Sequence, residues 1–194
     1  MNTESPSIYV NDRLSAISLP KALSLLPEQR RQKVLAFRHE SGQRQSVAAW
    51  LLLRQACQEQ LGLSDVPPVA TGEHGKPFFP TMPDIHFNLS HCREAVACAL
   101  WCKPVGIDVE HVRPLHESLA RYVLNDEEWQ QVRNDSHPDL CFVRLWTMKE
   151  SLLKLTGEGL HNNLKPLLTE AHDVRFSTMV DTSQRYVCTV AVRR

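Results

Sequence analysis

The chain has 194 residues, enough to bury a core as one domain or two small ones without disulfides or a structural metal. Its 22 Lys and Arg balance 22 Asp and Glu. Zero formal charge excludes the long-range field of a non-specific nucleic-acid binder, so any polyanion must be met by a local cluster. Met1 to Ser7 is polar and carries Glu4, with no apolar run behind a positive segment, so neither a signal peptide nor a membrane-spanning helix is expected and the expected address is cytoplasmic. Cys57, Cys92, Cys98, Cys102, Cys141 and Cys188 lie among apolar neighbours without C-x-x-C pairs, the pattern of reduced, mostly buried thiols.

In chain order, Ile8 to Val10 reads as a short strand, and Pro27-Glu28 starts a helix with proline and an acid in its first turn. Val47, Leu51, Ala56 and Leu61, widened by Leu52 and Leu53, recur at helical spacing and predict a long helix over Gln43 to Leu61, stopped by Gly62. Ser64 to Pro83 is rich in proline and glycine, hence turn and extended chain able to line a site. Ile85 to Leu89, Ala95 to Trp101 and Val105 to Val109 follow as strand-like runs, suggesting an antiparallel meander. Helical signals return in Glu117 to Val123, in Asp126 to Arg133 behind an Asn125 cap, and in Asp139 to Thr156 ending at Gly157. Val174 to Val180 and Tyr186 to Val192 close the chain as strands. The expected class is α+β: two similar subdomains, residues 1–104 and 105–194, each a small antiparallel sheet packed with helices.

The chemistry concentrates in two segments. In Gly106-Ile107-Asp108-Val109-Glu110 the two-residue strand period turns Asp108 and Glu110 to one face, and these acids interrupt a run that otherwise reads as buried. Placing acids together there costs ionisation energy unless a cation neutralises them. In Trp146 to Lys154, Glu150 and Lys154 share a helix face; an ordinary i,i+4 pair accounts for that alone. If Glu150 joins Asp108 and Glu110, three hard oxygen ligands suit magnesium, whose other positions go to water and phosphate. Trp146 is either core or a substrate contact, and Lys149 either a solvated residue or a phosphate contact. Ser90 and His91, at the end of Phe87-Asn88-Leu89-Ser90-His91, are hydrogen-bonding groups able to hold a phosphate or simply to decorate a turn, as are Asn88 and His86. Arg30, Arg31, Lys33, Arg38, His39 and Arg44 form the densest basic stretch, a phosphate site or a solvated helix. Gly157-Glu158-Gly159 ends a helix rather than opening one, and no Walker lysine is present, so a P-loop is excluded.

Gly75-Lys76-Pro77, Phe87 to His91, Gly106 to Glu110 and Trp146 to Leu160, in that order, resemble the 4'-phosphopantetheinyl transferases of the surfactin-synthetase-activating type, over roughly Phe37 to Leu160. The resemblance implies that family's fold, two similar subdomains related by a pseudo-twofold. It implies transfer of phosphopantetheine from coenzyme A to a serine of an acyl or peptidyl carrier protein, with release of 3',5'-ADP. By position, Asp108, Glu110 and Glu150 would bind Mg2+, with Glu127 as a provisional further acid. Lys154 would contact the diphosphate, and Lys76, Ser90 and His91 would hold the nucleotide and its 3'-phosphate. Asp108, Glu150 and Lys154 would form the catalytic set, with Glu150 helping to deprotonate the serine. Arg44 is the nearest candidate for the arginine that meets the 3'-phosphate in relatives, and Trp50 departs from their usual small or charged residue. A monomer binding neither nucleic acid nor membrane is expected. Two other classes stay open: a non-catalytic carrier-protein or coenzyme A binding module, and a magnesium-dependent phosphohydrolase.

Overall fold

The computed structural model describes residues 4–157, 159 and 163–194. Glu158 and Leu160 of the last motif, and Met1 to Thr3 of the polar start, lie outside the described residues. The first half runs β1 (Ser7–Asn11), α1 (Leu19–Ser24), α2 (Glu28–Leu35), α3 (Glu40–Leu61), a minimal hairpin of β2 (Ala70–Thr71) and β3 (Pro77–Phe78), then β4 (His86–His91) and β5 (Val96–Trp101). The second half runs β6 (Val105–His111), α4 (Glu117–Val123), α5 (Asp126–Asn134), α6 (Pro138–Thr156), α7 (Leu167–Glu170), β7 (Val174–Val180) and β8 (Tyr186–Arg193).

Each half holds a three-stranded antiparallel sheet, in the orders β1-β5-β4 and β6-β8-β7. The connectivity is the same twice: an edge strand, a block of helices, the opposite edge strand, and a last strand inserted between the two. The expected meander through β4, β5 and β6 is therefore wrong at its third strand. Both edges of β5 are taken, by β1 and β4, so β6 crosses at Lys103-Pro104 and pairs with β8 along its whole length, from Val105↔Val192 to His111↔Tyr186.

The period-2 alternation of β5 gives one face to each half. Val96, Cys98 and Leu100 pack with Ala48, Leu52, Leu53 and Ala56 of α3. Ala97, Ala99 and Trp101 pack instead with Val105, Ile107 and Val109 of β6 and Cys188, Val190 and Val192 of β8. That second cluster is a core shared by the two halves, and the alanines of β5 leave room for the facing sheet.

The other face of β6 carries α6. A Cβ built on Gly106 would lie 2.0 Å from the carbonyl oxygen of Ser151 and 2.5 Å from the amide nitrogen of Leu155, both backbone atoms of the helix. Only glycine lets the two backbones approach this closely. Pro138 begins α6 at its first turn, and Gly157 ends it in the left-handed conformation at φ +75°.

Asn125 caps α5 in a reciprocal box with Glu128. Glu128 also meets Lys149 of α6 at 2.9 Å, and the Lys149 ammonium donates to the carbonyls of Leu164 and Lys165. Lys149, 0% exposed, is thus neither solvated nor a phosphate contact: a buried ammonium must spend its donors on protein acceptors. Desolvation lowers its pKa, opposed by Glu128. Trp146 joins the core around Phe142, as one of its two readings held. All six cysteines are free and all but Cys102 are buried. No helix among the described residues is long and apolar enough to cross a membrane.

Two outcomes test this architecture in urea unfolding. Gly106→Ala is expected to cost about 3 kcal/mol or more, because the obstructing atoms are backbone and cannot rotate away. Lys149→Met should cost roughly 3–5 kcal/mol by leaving Glu128 buried without its cation, and a loss below 1 kcal/mol, far under that estimate, would contradict the pairing.

Candidate active site

The free edge of β4 lies beside the free edge of β6, and side chains rather than a backbone ladder join them. Asn88 and Ser90, two residues apart on β4, point the same way. The Ile107 amide donates to Asn88 Oδ1 at 2.9 Å, and the Val109 amide donates to Ser90 Oγ at 3.2 Å. Both are β6 amides that face away from β8, so each of these buried donors finds a side-chain partner.

Asp108, between those amides, points to the opposite side of the strand, toward α6, and is 3% exposed. Its Oδ1 accepts from Ser90 Oγ at 2.8 Å and from Lys154 Nζ at 2.6 Å, while Lys154 also donates to Ser90 Oγ at 2.8 Å. Strand β6 and helix α6 do converge as their sequence pattern implies. Asp108 Oδ2 is buried without a hydrogen-bond partner.

Glu110 and Glu150 stand next to this pair. Burial raises the pKa of both, and the Asp108 charge raises them further; for Glu150, Lys154 pulls the other way and Glu110 adds to the rise. The Trp146 indole lowers Glu110 somewhat, although its N–H lies outside hydrogen-bonding geometry. An unpartnered buried carboxylate oxygen beside two acids that resist ionisation is a donor set that fits a hard divalent cation. Among the described residues no three His, Cys, Asp or Glu side chains stand close enough together, as placed, to hold a metal ion; the Lys154 ammonium is the cation that meets Asp108.

A cleft of about 240 Å³ opens on this cluster, walled by Glu150, Leu153 and Lys154 of α6, by Asn88 of β4 and by the β2–β3 turn at Gly75 and Lys76. It adjoins a second cavity of about 340 Å³ that shares Lys76 and reaches His86 and Pro104. Lys76 spans the two halves: its Nζ donates to the Leu155 carbonyl at 3.0 Å and the Val105 carbonyl at 3.3 Å. The first of these is a carbonyl at the C-terminal end of α6, where a cation opposes the helix dipole. Desolvation lowers the Lys76 pKa. His91 is exposed at the end of β4, and the packing around it, then Lys154, lowers its pKa.

Two candidates lie apart from this cluster. Arg44 pairs with Glu40 at 2.5 Å and donates to the Ile17 carbonyl, tying α3 to the turn before α1, and lines neither cavity. Glu127 is exposed in the first turn of α5, where its neighbour Glu128 is the acid that turns inward. Within the basic stretch, Arg30 donates to Ser46 and lies over the Trp50 ring. The seam role of Asn88 was missed as a specific reading, though the Asn-x-Ser spacing on one strand face carried the signal.

Residues 104–190 match the model of the 4'-phosphopantetheinyl transferase superfamily, and residues 15–102 match that of the 4'-phosphopantetheinyl transferase N-terminal domain. A 4'-phosphopantetheinyl transferase of Bacillus subtilis is 33% identical over 158 residues, 79% of this chain and 70% of the relative. The 4'-phosphopantetheinyl transferase Sfp of Bacillus subtilis (strain 168) is 32% identical over 170 residues, 85% of this chain and 75% of its own length. AcpT of Salmonella typhi, also a 4'-phosphopantetheinyl transferase, is 34% identical over 115 residues, 57% of this chain and 59% of the relative. Both halves of the molecule, and the seam that carries the carboxylates, fall within the matched segments: the chain belongs to the 4'-phosphopantetheinyl transferase superfamily.

Proposed function

We propose that this protein transfers 4'-phosphopantetheine from coenzyme A to a serine hydroxyl of an acyl or peptidyl carrier protein, releasing 3',5'-ADP with the help of Mg2+. The observation that carries this reading is that Lys154 and Glu150 wall a cleft to which both halves contribute, with the buried Asp108 paired to Lys154 behind it. Asp108, through its unpartnered Oδ2, with Glu110 and Glu150, would hold the cation. When bound, a cation of this class neutralises diphosphate charge and orients the phosphorus.

The remaining work falls to the chain. The serine oxygen forms a new bond to the phosphorus that bears pantetheine, and the bond from that phosphorus to the bridging oxygen of the diphosphate breaks. The serine proton passes to a carboxylate, directly or through one water; Glu150 suits the task because burial and Asp108 raise its pKa above that of an ordinary carboxylate. Lys154 stands where it can meet negative charge developing on the leaving 3',5'-ADP. Lys76 and His91 supply cationic or donor groups for the nucleotide phosphates, and the Lys76 ammonium keeps one proton beyond its two carbonyl partners.

Incubation with coenzyme A, Mg2+ and a panel of apo carrier proteins, followed by mass measurement of the carriers, should show a phosphopantetheine adduct. No adduct on any carrier would overturn the transferase reading; 3',5'-ADP without adduct would indicate a hydrolase, and coenzyme A binding without either product a non-catalytic module. Asp108→Ala and Glu150→Ala should each abolish the adduct while circular dichroism stays that of the parent. Lys154→Ala should lower kcat by about 10²–10³-fold with a much smaller change in KM; a change confined to KM would remove it from the chemical step.

A further inference from the structure

The Ser90 hydroxyl has one proton to give and two lone pairs to receive with. All three are spent: the proton goes to Asp108 Oδ1 at 2.8 Å, and the oxygen accepts from Lys154 Nζ at 2.8 Å and from the Val109 amide at 3.2 Å. Ser90 is also 6% exposed. To donate to a phosphate oxygen it would have to abandon Asp108, and Lys154 would then be the only group left to fix the carboxylate at Oδ1. A hydroxyl placed between an acid, an ammonium and a strand amide is a support for the acid rather than a free donor in the cleft.

We infer that Ser90 is a positioning residue of the cation site, holding the Asp108 carboxylate and the Lys154 ammonium in register across the seam, and not a direct contact of the nucleotide phosphates. Three elements meet at its oxygen: β4, which carries it, β6 through Val109 and Asp108, and α6 through Lys154. The Val109 bond locks the hydroxyl to the very strand that carries Asp108. With its proton committed to Oδ1, Oδ2 stays without a partner and available to a cation. Groups that orient a metal-binding carboxylate commonly govern affinity nearly as strongly as the ligand itself. The inference rests on the transferase reading only in taking a divalent cation and coenzyme A as its probes.

The full-length protein is titrated with Mn2+, followed by its electron paramagnetic resonance signal, and separately with coenzyme A in the presence of a chelator. Ser90→Ala should weaken Mn2+ binding by about 10-fold or more, leave coenzyme A affinity without cation unchanged, and be rescued for Mn2+ by Ser90→Thr, which keeps the hydroxyl. Weaker coenzyme A binding with unaltered Mn2+ affinity would overturn the inference and make Ser90 an anion contact. Should Ser90→Ala fail to fold, Ser90→Cys, close in volume but a poorer hydrogen-bonding group, is read by the same two titrations. A parent protein that binds no Mn2+ overturns this inference; one that binds Mn2+ and modifies no carrier overturns the transferase reading and leaves the role of Ser90 standing if the variants behave as described.

Discussion

A missing side chain governs the rest of this site. Because Gly106 has no Cβ, the backbone of α6 can rest on the backbone of β6, with Ser151 and Leu155 directly over it. That contact sets the height of the helix above the strand. Asp108, next on the same strand face, then comes within reach of Lys154 one residue before Leu155, and Glu110 sits beside Glu150 one residue before Ser151. Helix period and strand period are thus brought into register at a single point, and the acids and the ammonium follow from it.

The second constraint is the joining of two sheet edges without a ladder. A buried strand edge must satisfy its outward amides. Asn88 and Ser90 do so with side chains, which leaves the sheets separate in hydrogen bonding yet closely apposed. Lys76 does a related job from the other direction by serving the outward carbonyl of Val105 and the end of α6 together. The cleft is consequently walled by groups whose first duty is to hold the halves together. Its charge arrangement is uneven: acids crowded on β6 and α6, cations arriving from the first half and from the last turn of α6.

Much of this was legible in the sequence where the signal was local. Apolar periodicity located α3 and α6, Gly62 and Gly157 stopped them, and Asn125 capped α5 as expected. Asp108, Glu110, Glu150 and Lys154 could be gathered because strand and helix periods each fix a face. What failed was non-local. Nothing in Lys103-Pro104 announces that β5 is already flanked on both edges, so β6 could not be told from a third meander strand. Lys149 and Lys154 look alike on a helix, and only the presence of Glu128 and the Leu164 carbonyl makes one of them interior. The direction of Arg44 is set by Glu40 and Ile17, which its place along the chain does not announce. The three hydrogen bonds of the Ser90 hydroxyl are a property of three elements at once, which no local pattern announces.

The shared cluster of Ala97, Ala99 and Trp101 against Ile107, Val109 and Val190 bears on how the molecule holds together as a whole. One apolar face of each sheet is the other's cover, so each repeat of the connectivity has a helix-backed core of its own and a second one that it encloses only together with its neighbour. The chain is in this respect a tethered counterpart of an obligate homodimer, with two copies of one topology packed face to face and the linker at Lys103-Pro104 replacing assembly from solution. Cooperativity then extends across both repeats: severing the linker would leave two fragments with exposed sheet faces, and the carboxylate seam would vanish with the first loss of docking rather than with the melting of either half.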